Sequence, residues 1–260
     1  MFRSDSYVNT RQQILFDLDD TLIHCNKYFG LILDEFYAII QQWFAEYELT
    51  TTEIRQKQIE IDIASVHNVG FKSGNFPASL INTYRYFSQK CPRLINPQEE
   101  DQLMKLGLSV YDLEVEPYPR MIETLESLKS DGHKLYLYTG GETAIQQRKI
   151  DQMKLNMYFD ERIYIREHKN THALEQILQS GLFDRSSTWM IGNSLRTDVI
   201  PALTAGIASI HIQISNEWEY NIVELERSPD HILYTVSSIE EVPEMIDHKI
   251  EQENKQRTLN

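Results

Sequence analysis

Residues 14–21 read ILFDLDDT, an apolar run that gives way abruptly to acids. Residues 14–16 have the composition of a buried β-strand. Asp17 and Asp19 stand two positions apart directly after that strand, with Asp20 beside them. Carboxylates at the end of a buried strand are costly unless a cation or a hydrogen-bond network compensates their charge. The stretch therefore predicts a functional site at the end of a strand.

Beyond about Glu116 the sequence alternates between short apolar strands and helical segments. Strands are expected at residues 135–138, 162–165, 188–191, 209–214 and 231–236. Helical spacing of apolar residues falls at 121–128, 142–155, 174–178, 199–205 and 239–246, and the polar tail 251–260 is expected to be frayed. Strands that alternate with helices predict an α/β fold, with a Rossmann-like parallel sheet covered by helices on both faces.

The segment from about Lys27 to Tyr111 has a different sequence pattern, which predicts mostly helices. Its first part repeats apolar residues at spacings of three and four between Phe29 and Phe44. A break rich in turn-forming residues spans 69–77, and helical patterns resume at 80–87 and 97–111. The sequence therefore predicts a helical insert between the first strand and the remaining α/β segment.

Three of the predicted strands end in polar side chains. These are Asp17 after the first strand, Thr139 after the second, and Asn193 with Ser194 after the strand at 188–191. In an open parallel sheet the ligand site lies beyond the carboxyl ends of the strands. The pattern predicts one shared site built from segments that are distant in sequence.

Composition limits the classes of partner. The chain of 260 residues has 25 Lys and Arg against 39 Asp and Glu, which gives a net charge of -14. A chain this acidic lacks the basic face that nucleic acid requires, so no nucleic-acid partner is expected. No apolar run is long enough to span a bilayer. The two cysteines, Cys25 and Cys91, form neither a disulfide framework nor a zinc cluster, and we expect a cytoplasmic protein with no membrane partner.

The acids suit phosphoryl transfer with magnesium. Mg²⁺ prefers a few carboxylates together with waters and phosphate oxygens. With the metal bound, Asp17 can attack phosphorus and form an aspartyl-phosphate. Asp19 can then protonate the leaving oxygen and later take a proton from the attacking water.

Residues further along the chain can hold the phosphate. Thr139 can hydrogen-bond a phosphate oxygen, with help from the backbone N–H groups of Gly140 and Gly141 at a helix start. Lys169, at the next junction between a strand and a helix, can supply a fixed positive charge. Asp198 can either orient Lys169 or bind the metal.

The order of these residues resembles the haloacid dehalogenase-like (HAD) superfamily along nearly the whole chain. Residues 17–21 match its first motif, DxDxT, and Thr139 matches the second. Lys169 matches the third motif, and residues 192–198 match the fourth, whose usual form is GDxxxxD.

The resemblance implies a fold and a function. It implies a HAD-like core at residues 1–26 and 113–260, and an α-helical cap of the C1 type at 27–112. It implies that Asp17 is the nucleophile and Asp19 the general acid and base. The metal would lie on Asp17, the backbone carbonyl of Asp19 and the fourth-motif side chain, with Asn193 and Asp198 as its candidates. The implied substrate is a small phosphorylated metabolite such as a sugar phosphate or a nucleotide.

One position departs from the family pattern. Asn193 stands where the fourth motif usually has its first aspartate. An amide oxygen can still bind Mg²⁺, but the site loses one negative charge. The sequence therefore predicts weaker metal binding, or an Asp198 that lies closer to the metal, and it predicts that Asn193→Asp tightens the binding of Mg²⁺.

Other functions fit parts of the same pattern. A phosphomutase would pass the same intermediate to a sugar phosphate, and a binding protein with a degenerate metal site would explain Asn193. A dehalogenase is disfavoured by Asp19, because that branch of the superfamily needs no proton for a leaving oxygen. The pattern leaves a monomer and a homodimer equally open.

Three further assignments concern a lysine, a pair of histidines and a loop. Lys154 is rejected as the phosphate lysine because it falls inside a helical pattern. His168 and His172 have a metal-like spacing on a predicted helix, but they are interpreted as surface histidines because the accompanying glutamate is absent. The loop at 71–75 is a hypothetical substrate contact.

Overall fold

A computed structural model describes residues 11–226 and 232–259 of the chain. The strands in this part are β1 (Gln13–Phe16), β2 (Lys134–Gly140), β3 (Ile163–Arg166), β4 (Thr188–Gly192), β5 (Ala208–Ile212) and β6 (Leu233–Val236). The helices between β1 and β2 are α1 (Asn26–Trp43), α2 (Thr51–Val69), α3 (Asn75–Lys90), α4 (Pro97–Ser109) and α5 (Met121–Ser130). The later helices are α6 (Thr143–Gln152), α7 (Asn156–Phe159), α8 (Thr171–Ser180), α9 (Ile200–Thr204) and α10 (Val242–Leu259).

The strands form one sheet in the order β3-β2-β1-β4-β5-β6, and all neighbours are parallel. The predicted α/β fold with a parallel sheet is therefore confirmed. β1 pairs with β2 on one side and with β4 on the other, so the chain changes direction across the sheet at β1. A crevice outside the carboxyl ends of the strands is expected at such a switch point.

Side chains of the central strands alternate between two cores, one on each face of the sheet. Ile14 and Phe16 of β1 enter one core, and Leu15 enters the other. In β4, Met190 shares the core of Leu15. Because both faces of the sheet are covered, the polar residues that follow the strands are held on a rigid support.

Helices α1 to α4 pack around a separate apolar cluster. Its buried members include Phe36, Phe44, Leu80, Tyr84 and Phe87. Local capping sets where these helices begin: Thr50 and Glu53 form a capping box at α2. Asn96 accepts the Gln98 N–H at the start of α4.

Several predicted boundaries were wrong. α3 already begins at Asn75, inside the predicted break, because proline is tolerated in a first helical turn and Pro77 lies there. α10 continues through the predicted frayed tail to Leu259, supported by ion pairs four residues apart from Lys249 to Glu253 and from Lys255 to Glu251. The predicted strand at 209–214 ends at Ile212.

Two residues rejected as site residues lie where the sequence pattern did not put them. α6 ends at Gln152, and Lys154 lies in a turn with φ of +52°. His168 precedes α8, so it does not share a helix with His172, although both are exposed as predicted. Part of the last predicted strand, including His231, lies outside the described residues.

Candidate active site

The carboxyl ends of β1 and β4, with the turn before α8, bring Asp17, Lys169 and Asp198 together. The Asp17 N–H continues the strand pairing by donating to the Ile191 carbonyl at 2.9 Å. Lys169 Nζ lies 2.5 Å from Asp17 Oδ1 and also contacts Asp198 Oδ1. The three residues are 7%, 5% and 1% exposed. The structure thus places one buried ammonium group between two buried carboxylates.

Burial and charge act in opposite directions on this cluster. Burial raises the pKa of Asp17, while the Lys169 ammonium works against that rise. Burial alone would lower the pKa of Lys169, but the carboxylates of Asp17 and Asp198 raise it. The lysine is therefore a fixed positive charge, and its presence favours an ionised Asp17.

Asp198 is held by the turn after β4. Residues Leu195–Val199 form a π-helical turn, a feature that occurs frequently at functional sites. Asp198 Oδ2 accepts the Ser194 N–H at 3.0 Å, while Oδ1 makes the ion pair with Lys169. A side chain at Gly192 would overlap this carboxylate, which explains the glycine there. Of its two predicted roles, the arrangement favours the orientation of Lys169 over metal binding.

Thr21 connects Asp17 with Asn193. Its hydroxyl lies 3.3 Å from Asp17 Oδ2 and 3.2 Å from Asn193 Oδ1, and it also accepts the Asn193 N–H at 3.2 Å. The amide nitrogen of Asn193 donates to Glu217 Oε2 at 2.8 Å. The Asn193 amide oxygen is therefore turned toward the Thr21 hydroxyl, which also contacts Asp17, and its nitrogen is turned toward Glu217.

Asp19 is held from the opposite side by α6. Lys149 Nζ lies 2.7 Å from Asp19 Oδ1, and Gln146 Nε2 donates to Asp19 Oδ2 at 2.9 Å. The same Gln146 amide donates to the hydroxyl of buried Thr139 at 2.6 Å. Thr139 and Asp19, which the sequence assigned to one site, are thus joined by a single side chain.

Asp20, the third acid of the opening stretch, has a different role. Its carboxylate accepts the Cys25 and Asn26 N–H groups at the start of α1, at distances between 2.9 and 3.1 Å. Burial raises the pKa of Asp20 to about 7. The residue anchors the beginning of the helical insert next to the site.

The glycine turn after Thr139 differs from its predicted use. The Gly141 N–H donates to the Arg166 carbonyl at 2.9 Å and so extends the pairing of β2 with β3. It is not free to bind a phosphate, and that part of the prediction was wrong. Gly140 lies under the ring of Phe71, where an added Cβ would come within 2.9 Å of Phe71 Cδ2.

The loop between α2 and α3 reaches the site from the insert. The Phe71 N–H donates to the Glu167 carbonyl at 3.0 Å, and the Ser73 N–H donates to Glu142 Oε1 at 2.8 Å. The Phe71 ring also contacts Trp218 and Tyr220, with ring centroids 6.3 and 5.9 Å apart. The predicted substrate loop thus lies over the carboxyl end of β2, although exposed Lys72 points toward Glu167 at 3.9 Å.

Sequence reasoning missed three residues of this arrangement. Gln146 and Lys149 lie three apart in the helix that follows Thr139, and that spacing on one helix face was the available signal. Glu217 gave no signal in the sequence, because it lies in a loop 24 residues beyond Asn193.

The oxygen donors around Asp17 suit a magnesium ion. Among residues 11–226 and 232–259, no three His, Cys, Asp or Glu side chains are grouped to hold a metal. The oxygens of the Asp17 carboxylate and of the Asn193 amide instead both lie next to the Thr21 hydroxyl. Magnesium is commonly held by one or two carboxylates and completed by waters and substrate phosphate, so this sparse set fits it.

Other features of the surface carry none of the predicted site residues. A cavity of about 520 Å³ opens at the amino ends of β1 and β2, and its lining includes Arg11, Lys129 and Arg162.

No helix in the described part of the chain is both long and apolar enough to cross a membrane.

Comparison with known proteins relates this geometry to a family. The family profile described as haloacid dehalogenase-like hydrolase matches residues 14–212, which include Asp17 and Asp198. A pyrimidine 5'-nucleotidase from Escherichia coli is 25% identical over 244 residues, covering 90% of this chain and 96% of that enzyme. A glyceraldehyde 3-phosphate phosphatase from Methanocaldococcus jannaschii is 24% identical over 241 residues, again covering 90% and 96%.

A solved structure shares the same fold. A haloacid dehalogenase-like family hydrolase from Xanthomonas campestris superposes with a TM-score of 0.76 at 22% identity, with 95% of each chain covered. The similarity extends over the helical insert as well as the sheet, since so little of either chain is left out.

Proposed function

The chain belongs to the haloacid dehalogenase-like hydrolases, and from that premise we propose that it is a magnesium-dependent phosphohydrolase acting on a small phosphomonoester. Asp17 is the nucleophile and Asp19 the general acid and base. The observation that carries the proposal is the buried Lys169, held between Asp17 and Asp198 at the carboxyl ends of the strands. A fixed cation beside a nucleophile is what a transferring phosphoryl group needs.

In the first step Asp17 attacks phosphorus, and the bond from phosphorus to the leaving oxygen breaks. Asp19 gives its proton to that oxygen, which leaves as an alcohol. Lys169 and Thr139 hold the oxygens of the transferring group. In the second step a water attacks the phosphoaspartate, Asp19 takes a proton from the water, and Asp17 is released together with inorganic phosphate.

The metal completes the site. When bound, Mg²⁺ would be held by Asp17, the backbone carbonyl of Asp19 and the amide oxygen of Asn193, and it would supply positive charge to the phosphate. We assign Asp198 to Lys169, because Asp198 Oδ1 makes an ion pair with that ammonium and Oδ2 accepts the Ser194 N–H.

The helical insert at 27–112 acts as a cap over the core formed by residues 1–26 and 113–260. Its loop at Phe71 lies over Gly140 and contacts Trp218 and Tyr220. These side chains border the side from which a substrate would approach. The two relatives are named as a glyceraldehyde 3-phosphate phosphatase and a pyrimidine 5'-nucleotidase. Because both names refer to small phosphate esters, we propose a small phosphorylated metabolite as the substrate of this chain.

A panel of phosphorylated metabolites tests this function. Purified protein with Mg²⁺ is expected to release inorganic phosphate from at least one sugar phosphate or nucleotide. Removal of the metal with a chelator, and the Asp17→Asn change, are each expected to abolish release. Release that persists in Asp17→Asn would contradict the assignment of the nucleophile. Transfer of phosphate to a second sugar phosphate, in place of water, would indicate a phosphomutase.

A further inference from the structure

Glu217 lies on the outer side of Asn193, in the loop after β5. Its Oε2 accepts the Asn193 amide N–H at 2.8 Å. Its Oε1 accepts two other donors, the Asn221 amide at 2.7 Å and the Trp218 N–H at 2.9 Å. In the described part of the chain each hydrogen-bond partner of this carboxylate is a donor, an arrangement that favours the ionised form even though burial raises the pKa of Glu217.

This contact determines which way the Asn193 amide faces. If the amide were rotated by half a turn, its oxygen would face Glu217 Oε2 at the present 2.8 Å, and two acceptors would repel each other. The present orientation instead turns the Asn193 oxygen toward the Thr21 hydroxyl, which also contacts Asp17. Glu217 thus selects the orientation in which the oxygen is available on the Asp17 side.

The loop that carries Glu217 is tied to the turn after β4. Asn221, which donates to Glu217, accepts the Ser194 hydroxyl at 2.9 Å. Ser194 Oγ in turn accepts the Thr197 N–H at 3.0 Å. The carboxylate is therefore held in place by the same turn that carries Asn193 and Asp198.

We propose that Glu217 is a positioning residue for the metal site, which fixes the Asn193 oxygen toward Asp17 and supplies the negative charge that an aspartate at position 193 would carry. This inference rests on the proposed function, because it assumes that Mg²⁺ binds at Asp17. It explains why asparagine can replace the family's usual aspartate here. The negative charge is carried by the Glu217 carboxylate, which is hydrogen-bonded to the Asn193 amide.

The proposal changes what is expected of Asn193→Asp. That change alone would set two carboxylates 2.8 Å apart, so its gain in metal affinity would be offset by repulsion. Glu217→Gln alone would present an amide N–H to the Asn193 amide, which would rotate and turn its nitrogen toward the metal. The double change Asn193→Asp with Glu217→Gln restores the hydrogen bond with donor and acceptor exchanged.

Four proteins test the proposal: the wild type, each single variant and the double variant. Mg²⁺ binding is measured by titration calorimetry without substrate, and unfolding temperature is measured in metal-free buffer at pH 7. Glu217→Gln is expected to raise the Mg²⁺ dissociation constant by about 10–100-fold, as for other residues that hold a ligand in place. In the Glu217→Gln background, Asn193→Asp is expected to recover most of the lost affinity for Mg²⁺. In the wild-type background, Asn193→Asp is expected to raise that affinity little or not at all.

The metal-free proteins give a second readout. Asn193→Asp alone is expected to lower the unfolding temperature, and adding Glu217→Gln is expected to restore it. Glu219→Gln is the matched control, since Glu219 is exposed and its ion pair with Arg55 spans 3.8 Å; it should change neither quantity.

The outcomes separate this inference from the function on which it rests. If the wild type binds Mg²⁺ and Glu217→Gln binds it within twofold of the wild type, the role of Glu217 is overturned and the proposed function stands. An Asn193→Asp effect of equal size in both backgrounds would also overturn it. If the wild type binds no Mg²⁺, both the metal-dependent function and this inference fail.

Discussion

Lys149 Nζ lies 2.7 Å from Asp19 Oδ1, and this ion pair joins α6 to the turn after β1. The side chains of Lys149 and Asp19 are 16% and 25% exposed, so the pair is largely sheltered from water. Together with Gln146 it fixes the carboxyl group that we propose as the general acid.

Lys149→Met is therefore expected to impair the transfer of a proton from Asp19 to the leaving oxygen more than the attack of Asp17 on phosphorus. The reason is that the variant no longer holds the Asp19 carboxyl group in place. An alkyl phosphate, whose leaving oxygen needs a proton, should lose about 10–100-fold in kcat/KM, part of what a general acid contributes. p-Nitrophenyl phosphate, whose leaving group departs without a proton, should lose much less. Steady-state kinetics with both substrates check this.

The matched control is Lys154→Met, because Lys154 is exposed in the turn that follows α6. It should leave both substrates unaffected. An equal loss for the alkyl and aryl phosphates in Lys149→Met would show that Lys149 does not act through Asp19.

Lys169→Met is expected to destabilise the fold as well as abolish activity. It would leave the buried carboxylates of Asp17 and Asp198 without their cation. Removing one partner of a buried ion pair typically costs about 3–5 kcal/mol. Urea unfolding at pH 7 should show a loss of this order, and the loss should shrink at lower pH because a buried carboxylate that takes a proton no longer needs the cation.

Lys27→Met is the comparison for that measurement, since the ion pair of Lys27 with Glu116 is about half exposed, at 48% for each side chain. No measurable loss of stability is expected there. A Lys169→Met protein as stable as the wild type at pH 7 would contradict the charge arrangement at the site.

Glu99 makes the stability of the helical insert depend on pH. Its carboxylate accepts two hydrogen bonds from Arg93, both at 2.6 Å, and one from the Tyr84 hydroxyl. The hydrogen bonds from Arg93 hold the pKa of Glu99 below its usual value of 4.5. Because the folded-state pKa is lowered, the stabilisation is present above pH 4.5 and is lost as the pH falls through the folded-state value.

Glu99→Gln is thus expected to lower the free energy of unfolding by about 1.5–3 kcal/mol at pH 7, the range for hydrogen bonds to charged groups. At pH values below the usual Glu99 pKa of 4.5, the difference in unfolding free energy between the variant and the wild type should become smaller. Glu100→Gln, which removes the more exposed pair with Arg85, should have a smaller effect. A difference that stays constant down to pH 3 would refute this assignment.

The sequence predicted the parts of the site that follow a strand directly. Asp17 and Asn193 each come one residue after a buried apolar strand, and parallel pairing brings such residues to one edge. Lys169 was assigned from its position at a junction between a strand and a helix, and the match to a family motif supported that assignment. The structure confirms the parallel sheet, and the family match confirms the resemblance.

What could not be predicted depends on contacts between distant segments. Whether the Gly141 N–H is free depends on the register of β3 against β2, which composition does not reveal. Glu217 reaches Asn193 from a loop with no periodic pattern. The length of α10 depended on pairs such as Lys255 with Glu251, in a segment that was interpreted only as a polar tail.

Trapping the phosphoaspartate tests the central claim most directly. The Asp19→Asn variant is mixed with p-nitrophenyl phosphate and Mg²⁺, quenched in acid, reduced with borohydride and digested for peptide mass spectrometry. The nitrophenolate leaves without a proton while the water step is impaired, so the intermediate should accumulate. We predict homoserine at position 17, dependent on substrate and absent when Asp17→Asn is added. Release of nitrophenol with Asp17 unmodified, or with another residue modified, would contradict the account.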